Sequence, residues 1–305
     1  MPKIIVGVDG SDRSDGALAL ASRLAKGTSA EIVLARAYPY DDTAGHPGDS
    51  SRRHELREDA QQTLDRLCDR VQAPGHVSTR TIADPSPARA LHTLAVQEGA
   101  SLIVIGSSHR GAVGRVFAGT TAERLLHGAP CPVAVVPRGP AHGGSISRIA
   151  VGWDRSVESG AAVNAATAIA RALQSELRIV EVLDLHRAGT PAIIPGSGAA
   201  LAAHQPAAHA RTRLEELRAG LPPDTNAETS LVLGDPVAEL TQLSEGADLL
   251  VLGSRGYGPH RAVLLGGVSG RVMSRSACPV IVVPRGIEAP LEDLLGPQVQ
   301  ASAGD

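Results

Sequence analysis

The segment from Lys3, KIIVGVDGSDRSDGALALASRLA, returns from Ser147 as SRIAVGWDRSVESGAAVNAATAIARAL. GASLIVIGSSHRG from Gly99 returns as GADLLVLGSRGYG from Gly246, and APCPVAVVPRG from Ala129 returns as ACPVIVVPRG from Ala277. Gly106 and Gly253, Cys131 and Cys278, and Pro137 and Pro284 share one spacing of 147 residues. Such self-similarity means one folding unit built twice. The 305 residues fit two domains of roughly 150 residues, each long enough to bury its own core. The stretch RGPAHGGSIS, residues 138–147, has linker composition. The expected boundaries are 1–139 for the first domain, 145–286 for the second and 287–305 for a tail.

Within each copy, short β-branched runs alternate with helical periodicity. KIIVGVD, AEIVLARAY, VSTRTI, SLIVIG and PVAVVP read as five strands, answered by RIAVGWD, ELRIVEVLD, ETSLVLG, DLLVLG and PVIVVP. Leu56, Ala60, Leu64, Leu67 and Val71 recur at the three- and four-residue spacing of one helical face. Nearly continuous apolar strands between helices imply a parallel sheet covered on both faces. The fold class is therefore α/β: two tandem open, five-stranded, Rossmann-like sandwiches. In such sheets ligands bind beyond the carboxyl ends of the strands, where the winding reverses. That brings together the loop after the first strand (Asp9, Asp154) and the glycine-rich loop after the fourth (Gly106, Gly253).

Composition narrows the partners. Aromatic residues are only 2%, too few for base-stacking platforms, and a net charge of −3 gives no basic footprint for nucleic acid or an anionic membrane. The longest apolar runs, such as LIVIG, fall far short of a membrane span. The amino terminus lacks a signal-peptide pattern, so a cytosolic location is expected. Three cysteines without a CxxC pair suggest neither a disulfide framework nor a zinc site.

Two phosphate motifs fail. GSSHRGAVG lacks the lysine of a P-loop, and GYGPHR lacks the last glycine of GxGxxG. What remains in the second copy is Gly253, two residues, Gly256, nine residues, then Gly266, Gly267, Val268 and Ser269. At this pattern the chain resembles the universal stress protein family, whose nucleotide-binding members carry G-x2-G-x9-G-[ST] after the fourth strand. Asp9 and Asp154, the turns at Asp84-Pro85 and Gly234-Asp235-Pro236, and the closing CPVxVVPRG agree with it. The resemblance covers nearly the whole chain twice and implies an adenine nucleotide alpha hydrolase-like fold and an ATP ligand, with Mg²⁺ arriving only alongside a triphosphate. It implies that Gly253 and Gly256 shape a bend beneath phosphates and ribose and that Gly266, Gly267 and Ser269 supply donors to phosphate oxygens. Asp154 would accept from adenine or ribose, and the backbone at Val182 would line the base pocket. The first-copy counterparts are Asp9, Ala37, Gly106, Gly119 and Thr120. Helix entry near Gly119 and Gly266 would turn backbone N–H groups and a positive dipole end toward an anion. The first copy has His109 where the pattern wants glycine, and the second has Gly267 where Ser or Thr is usual. The second copy is accordingly expected to be the better binder.

Plainer roles compete with these. Asp9, Ser11, Asp154 and Ser156 can serve as helix caps, and the glycines can simply turn the chain. His109 and His260 read as surface histidines, and Cys131 and Cys278 as packed thiols. Arg155, Arg255 and Arg261 lie near the expected mouth. The dissimilar loops DDTAGHPGDSS and RAGTPAIIPGSGAA have the length of lids or interaction surfaces. Three functions follow: a nucleotide-binding stress protein that signals through conformation or partners, a weak ATP-hydrolysing enzyme, and a ligand-free interaction module. No nucleophile, base or metal cage favours the enzyme, so none is expected. The family pairs domains through the last strand, which implies an internal pseudo-twofold between PVAVVP and PVIVVP. A homodimer or another protein partner stays open.

Overall fold

The computed structural model describes residues 2–40, 50–71, 76–107, 115–116, 119–138, 144–184, 199–254 and 267–286. The first half runs β1 (Lys3–Gly7), α1 (Arg13–Thr28), β2 (Glu31–Tyr38), α2 (Ser50–Cys68), β3 (Val77–Ala83), α3 (Pro87–Glu98), β4 (Leu102–Gly106), α4 (Thr120–Leu126) and β5 (Val133–Val136). The second runs β6 (Arg148–Gly152), α5 (Val157–Leu173), β7 (Glu176–Leu183), α6 (Ala199–Ala219), β8 (Ala227–Leu233), α7 (Pro236–Leu243), β9 (Leu249–Gly253), α8 (Val268–Met273) and β10 (Val280–Val283). All ten expected strands form.

Both halves wind identically. The strand order is β3-β2-β1-β4-β5-β10-β9-β6-β7-β8, parallel within each half. The winding reverses between β1 and β4, and again between β6 and β9. The halves join where β5 and β10 pair antiparallel, Ala134 opposite Ile281. This is the internal pairing that the resemblance implied, and it spares each half an unpaired edge.

Strand periodicity explains the two-sided core. Ile4 and Val6 face α1 and α2, whereas Ile5, between them, faces the α3 and α4 side, and all three are fully buried. Each face carries one apolar cluster that runs through both halves. One contains Leu20, Ile32, Ile149, Ile169 and Ile281; the other contains Ile103, Leu125, Leu250 and Val280. Helices α1 and α5 meet across the seam at Gly27, where a Cβ would lie 2.2 Å from Leu173 Cδ2. The loop after β4 also crosses over. Arg115 donates to the Arg275 carbonyl (2.9 Å) and to Glu245 (2.8 Å), and the Val116 N–H donates to the Ser276 carbonyl (2.8 Å). Asp248, at the start of β9, accepts from the Ser147 N–H (3.0 Å), its hydroxyl (2.8 Å) and the Arg148 N–H (2.9 Å), anchoring the end of the linker.

The turns at Asp84-Pro85 and Asp235-Pro236 start helices. Ser86 caps α3, with Pro87 in the first turn; Asp235 caps α7 by accepting from Val237 (3.0 Å) and Ala238 (2.9 Å). Helix α7 has 8 residues against 12 in α3, about one turn fewer. Beside α7 lies a cavity of 490 Å³ lined by Arg148, Arg178, Val180, Glu228 and Gln242, extending from the amino ends of β6 and β7. No helix among the described residues is long and apolar enough to cross a membrane.

Cys131 and Cys278 are buried just before the last strand of each half, and burial pushes both thiols up to about 12. Cys68, on α2, is only partly buried. Native protein treated with a thiol-reactive disulfide at neutral pH is expected to label Cys68 rapidly and the other two only on unfolding. Peptide mapping of the adducts checks this; rapid labelling of Cys278 would contradict it.

Candidate functional site

Each winding reversal holds a cavity at the carboxyl ends of the strands. The first, of 270 Å³, is lined by Asp9, Arg13, Ala35, Ala37, Gly106 and the start of α4 at Gly119 and Thr120. The second, of 350 Å³, is lined by Trp153, Asp154, Val182, Leu240, Gly253 and Ser269. The structure thus brings together Asp9, Ala37, Gly106, Gly119 and Thr120 in one half, and Asp154, Val182, Gly253 and Ser269 in the other. Gly267 is the residue from which α8 starts at that second cavity. Gly256, Gly266, His109, His260, Arg255 and Arg261 lie outside the described residues, as do the loops 41–49 and 185–198 and the tail 287–305.

The aspartates are held alike. Ser11 donates its N–H (3.0 Å) and hydroxyl (2.6 Å) to Asp9 Oδ1, and Ser156 does the same to Asp154 Oδ1 (3.1 and 2.5 Å). The Asp9 and Asp154 N–H groups donate to Ser14 Oγ and Ser159 Oγ, each at 3.2 Å. Neither aspartate is itself the cap. Ser156 caps α5 through the Ser159 N–H, and Asp12 precedes α1 without a side-chain cap. In the first half Arg13 also donates to Asp9 Oδ2, and its Nε to Ser11 Oγ (2.9 Å).

Burial works to raise the Asp9 carboxyl, but hydrogen bonds from Ser11, the Arg13 charge and Ser14 together hold it below its usual range. A lowered folded-state pKa stabilises the fold above the unfolded value, and that contribution is lost as pH falls through the folded value. Melting from about pH 6 down to about pH 3 is therefore expected to lower the midpoint less in Asp9→Asn than in the parent chain. Equal acid losses in the two would contradict this role for Asp9.

The two strand-end glycines are packing residues as well as pocket walls. A Cβ at Gly106 would lie 2.4 Å from the Arg13 carbonyl oxygen, and one at Gly253 would lie 2.5 Å from that of Glu158. Only glycine lets the first turns of α1 and α5 close over these ends. Ser269 Oγ donates to the Gly253 carbonyl at 2.6 Å, tying α8 to the end of β9. Its proton is committed there, so toward an anion it is the backbone of this turn that offers donors. Helices α4 and α8 start at Gly119 and Gly267 without side-chain caps, leaving their first N–H groups to other partners. They have only seven and six residues, so those N–H groups matter more than the summed dipole.

Two residues of the second cavity, Glu158 and Glu181, belong to no motif of the sequence. Glu158 stands where the first half has Arg13, and Glu181 stands where it has Arg36. Arg155 occupies the left-handed region at φ 70, as Gly10 does at φ 81. The buried Glu181 Oε1 faces Arg213 at 3.2 Å and Arg155 at 3.6 Å, while Glu158 pairs with Arg285 at 3.1 Å. Aligning the copies position by position would have exposed both reversals. Among the described residues no three His, Cys, Asp or Glu side chains form a metal-binding group.

Known proteins share this architecture. The profile described as the universal stress protein family matches residues 1–137 and again 145–284. A universal stress protein of Mycolicibacterium smegmatis is 31% identical over 295 residues, covering 92% of this chain and 96% of its own. One from Mycobacterium tuberculosis is 30% identical over 301 residues, with the same coverages. The crystal structure of a universal stress protein from Archaeoglobus fulgidus superposes with a TM-score of 0.71 at 22% identity, covering 93% of this chain and 98% of that one. With both halves matched and near-full-length relatives, the chain belongs to the universal stress protein family, as a tandem of two of its domains.

Proposed function

We propose that the chain is a stress-response protein of the cytosol that binds adenine nucleotide, ATP with any Mg²⁺ arriving alongside it, and acts through conformation or a protein partner. The observation that carries the reading is the twin cavity. In both halves an aspartate from the first strand faces a glycine-started helix across the winding reversal. The residues present fit such a ligand. Val180, Val182, Leu240 and Leu252 offer an apolar bed for a base, Asp154 an acceptor for amino or hydroxyl groups, and the Gly267 turn uncapped N–H donors. The volumes lie near the lower end for small-molecule cavities.

Millimolar ATP is expected to raise the melting temperature of the purified chain, since a ligand at a hundredfold its Kd stabilises by about 2.7 kcal/mol. An unchanged melt would instead favour the ligand-free interaction module. ATP turnover that survives purification and disappears in Gly266→Val would favour the enzyme.

A further inference from the structure

The cavity beside α7 opens on a sheet face that the first half keeps closed. Lys3–Pro39 and Arg148–Asp184 align without a gap, so Ile5 corresponds to Ala150, Glu31 to Glu176 and Val33 to Arg178. The strand registers, Ile32 beside Val77 and Leu177 beside Ala227, likewise match Ser78 with Glu228. In the first half Ile5 and Val33 are fully buried in one cluster with Leu94 and Ala95 of α3. Glu98, the last residue of α3, closes the end of that face by pairing with Lys3 and, at 2.9 Å, with Arg80. In the second half α7 stops about a turn short, alanine replaces the isoleucine, and an arginine stands where the valine was. The space so left is the 490 Å³ cavity, within the range of small-molecule sites.

Three charged groups of this cavity are not used by the fold. In the first half the Ser78 hydroxyl donates to Glu31 Oε1 at 2.9 Å; a carboxylate at Glu228 cannot donate to Glu176 in the same way. Arg178 sits between these two glutamates, with Glu228 opposite it on β8 and Glu176 two residues earlier on the same face of β7. Among the described residues the side chains of Glu176, Arg178 and Glu228 make no hydrogen bond or ion pair, whereas Arg148 is paired with Asp248 at 3.6 Å. Farther along the strands the lining turns apolar at Val180, Val232 and Leu243. A guanidinium takes a carboxylate in a two-pronged grip and a carboxylate accepts from an ammonium; adjacent strands about 4.8 Å apart present the two side by side. A purely anionic ligand would meet the glutamates and a purely cationic one the arginine, so the wall is complementary to a zwitterion. We propose that this cavity binds a free α-amino acid with an apolar side chain: Arg178 holds the carboxylate, Glu228 and Glu176 the ammonium, and Val180, Val232 and Leu243 the side chain. The site stands apart from the adenine reading, since of its lining only Val180 also borders the cavity of Asp154.

Equilibrium dialysis of the full-length protein against labelled leucine and labelled phenylalanine tests the site. At least one of the two is expected to be retained at millimolar concentration. N-acetyl-leucine, which lacks the ammonium, and leucinamide, which lacks the carboxylate, are each expected to compete with the retained amino acid at least tenfold more weakly than leucine does. These analogues probe the parent chain and need no variant. Arg178→Val and Glu228→Ser install the residues of the first half, where they pack without a cavity, so both are expected to fold and to melt with the parent. Each is expected to weaken amino-acid binding at least tenfold and to leave ATP retention unchanged. Retention of neither amino acid, N-acetyl-leucine competing as well as leucine, or unchanged affinity in a folded Arg178→Val overturns the amino-acid site. Failure of ATP to bind while the amino acid is retained overturns the adenine reading alone.

Discussion

Replacing Gly253 with valine is expected to force the first turn of α5 off the end of β9 and to abolish binding at the second cavity. The obstacle is backbone, not a side chain that can rotate away: a Cβ there would lie 2.5 Å from Glu158 C and O and 2.8 Å from the Ser159 N. Overpacking of this kind costs about 3 kcal/mol or more. Displacing that turn also moves Ser156 and Ser159, which hold Asp154 from its side chain and its N–H. Affinity at the second cavity is therefore expected to fall at least tenfold, about 1.4 kcal/mol, with the first cavity spared. Gly160→Ala is the control within the same helix. Nothing lies within 4 Å of a Cβ there, so alanine is expected to stabilise α5 by about 0.5–1 kcal/mol. Differential scanning calorimetry of the two variants checks the contrast; a Gly253→Val protein as stable as the parent would contradict the close approach.

The second large effect is expected at the seam. Ile281 is fully buried in β10, opposite Ala134 of β5 and within the cluster shared by both halves. An aspartate there would carry an unpaired carboxylate into the sheet interior, a cost of about 5 kcal/mol or more. Because the apolar clusters run through both halves, Ile281→Asp is expected to lower the stability of both domains rather than one. Calorimetry is expected to show melting roughly 10 °C or more below that of the parent. A variant whose first half melts at the parent temperature would show that the halves do not share a core.

These two positions mark how far the sequence could be read. Gly253 was found because strands end in repeated glycines, and the two copies vouch for each other. Its contact with the Glu158 carbonyl was not legible, since it depends on how α5 returns over β9. All ten strands were readable from β-branched runs. The antiparallel join of β5 to β10 came from family resemblance, because periodicity is silent on which edges meet. The aspartates were legible as site residues, whereas their grip by Ser11, Arg13 and Ser156 required coordinates. Ser269 was expected to give its hydroxyl to a phosphate and instead donates to Gly253 O. The missing turn of α7 was present in the sequence as a shorter interval between Asp235 and Gly246 than between Asp84 and Gly99. Its consequence, the uncovered amino end of the second sheet, is a matter of packing.

We propose that the duplicated winding reversal makes this chain a receptor for adenine ligands. Equilibrium dialysis of the full-length protein against labelled ATP and labelled adenosine tests it most directly. Retention of both at millimolar concentration is expected. Retention of neither would contradict it.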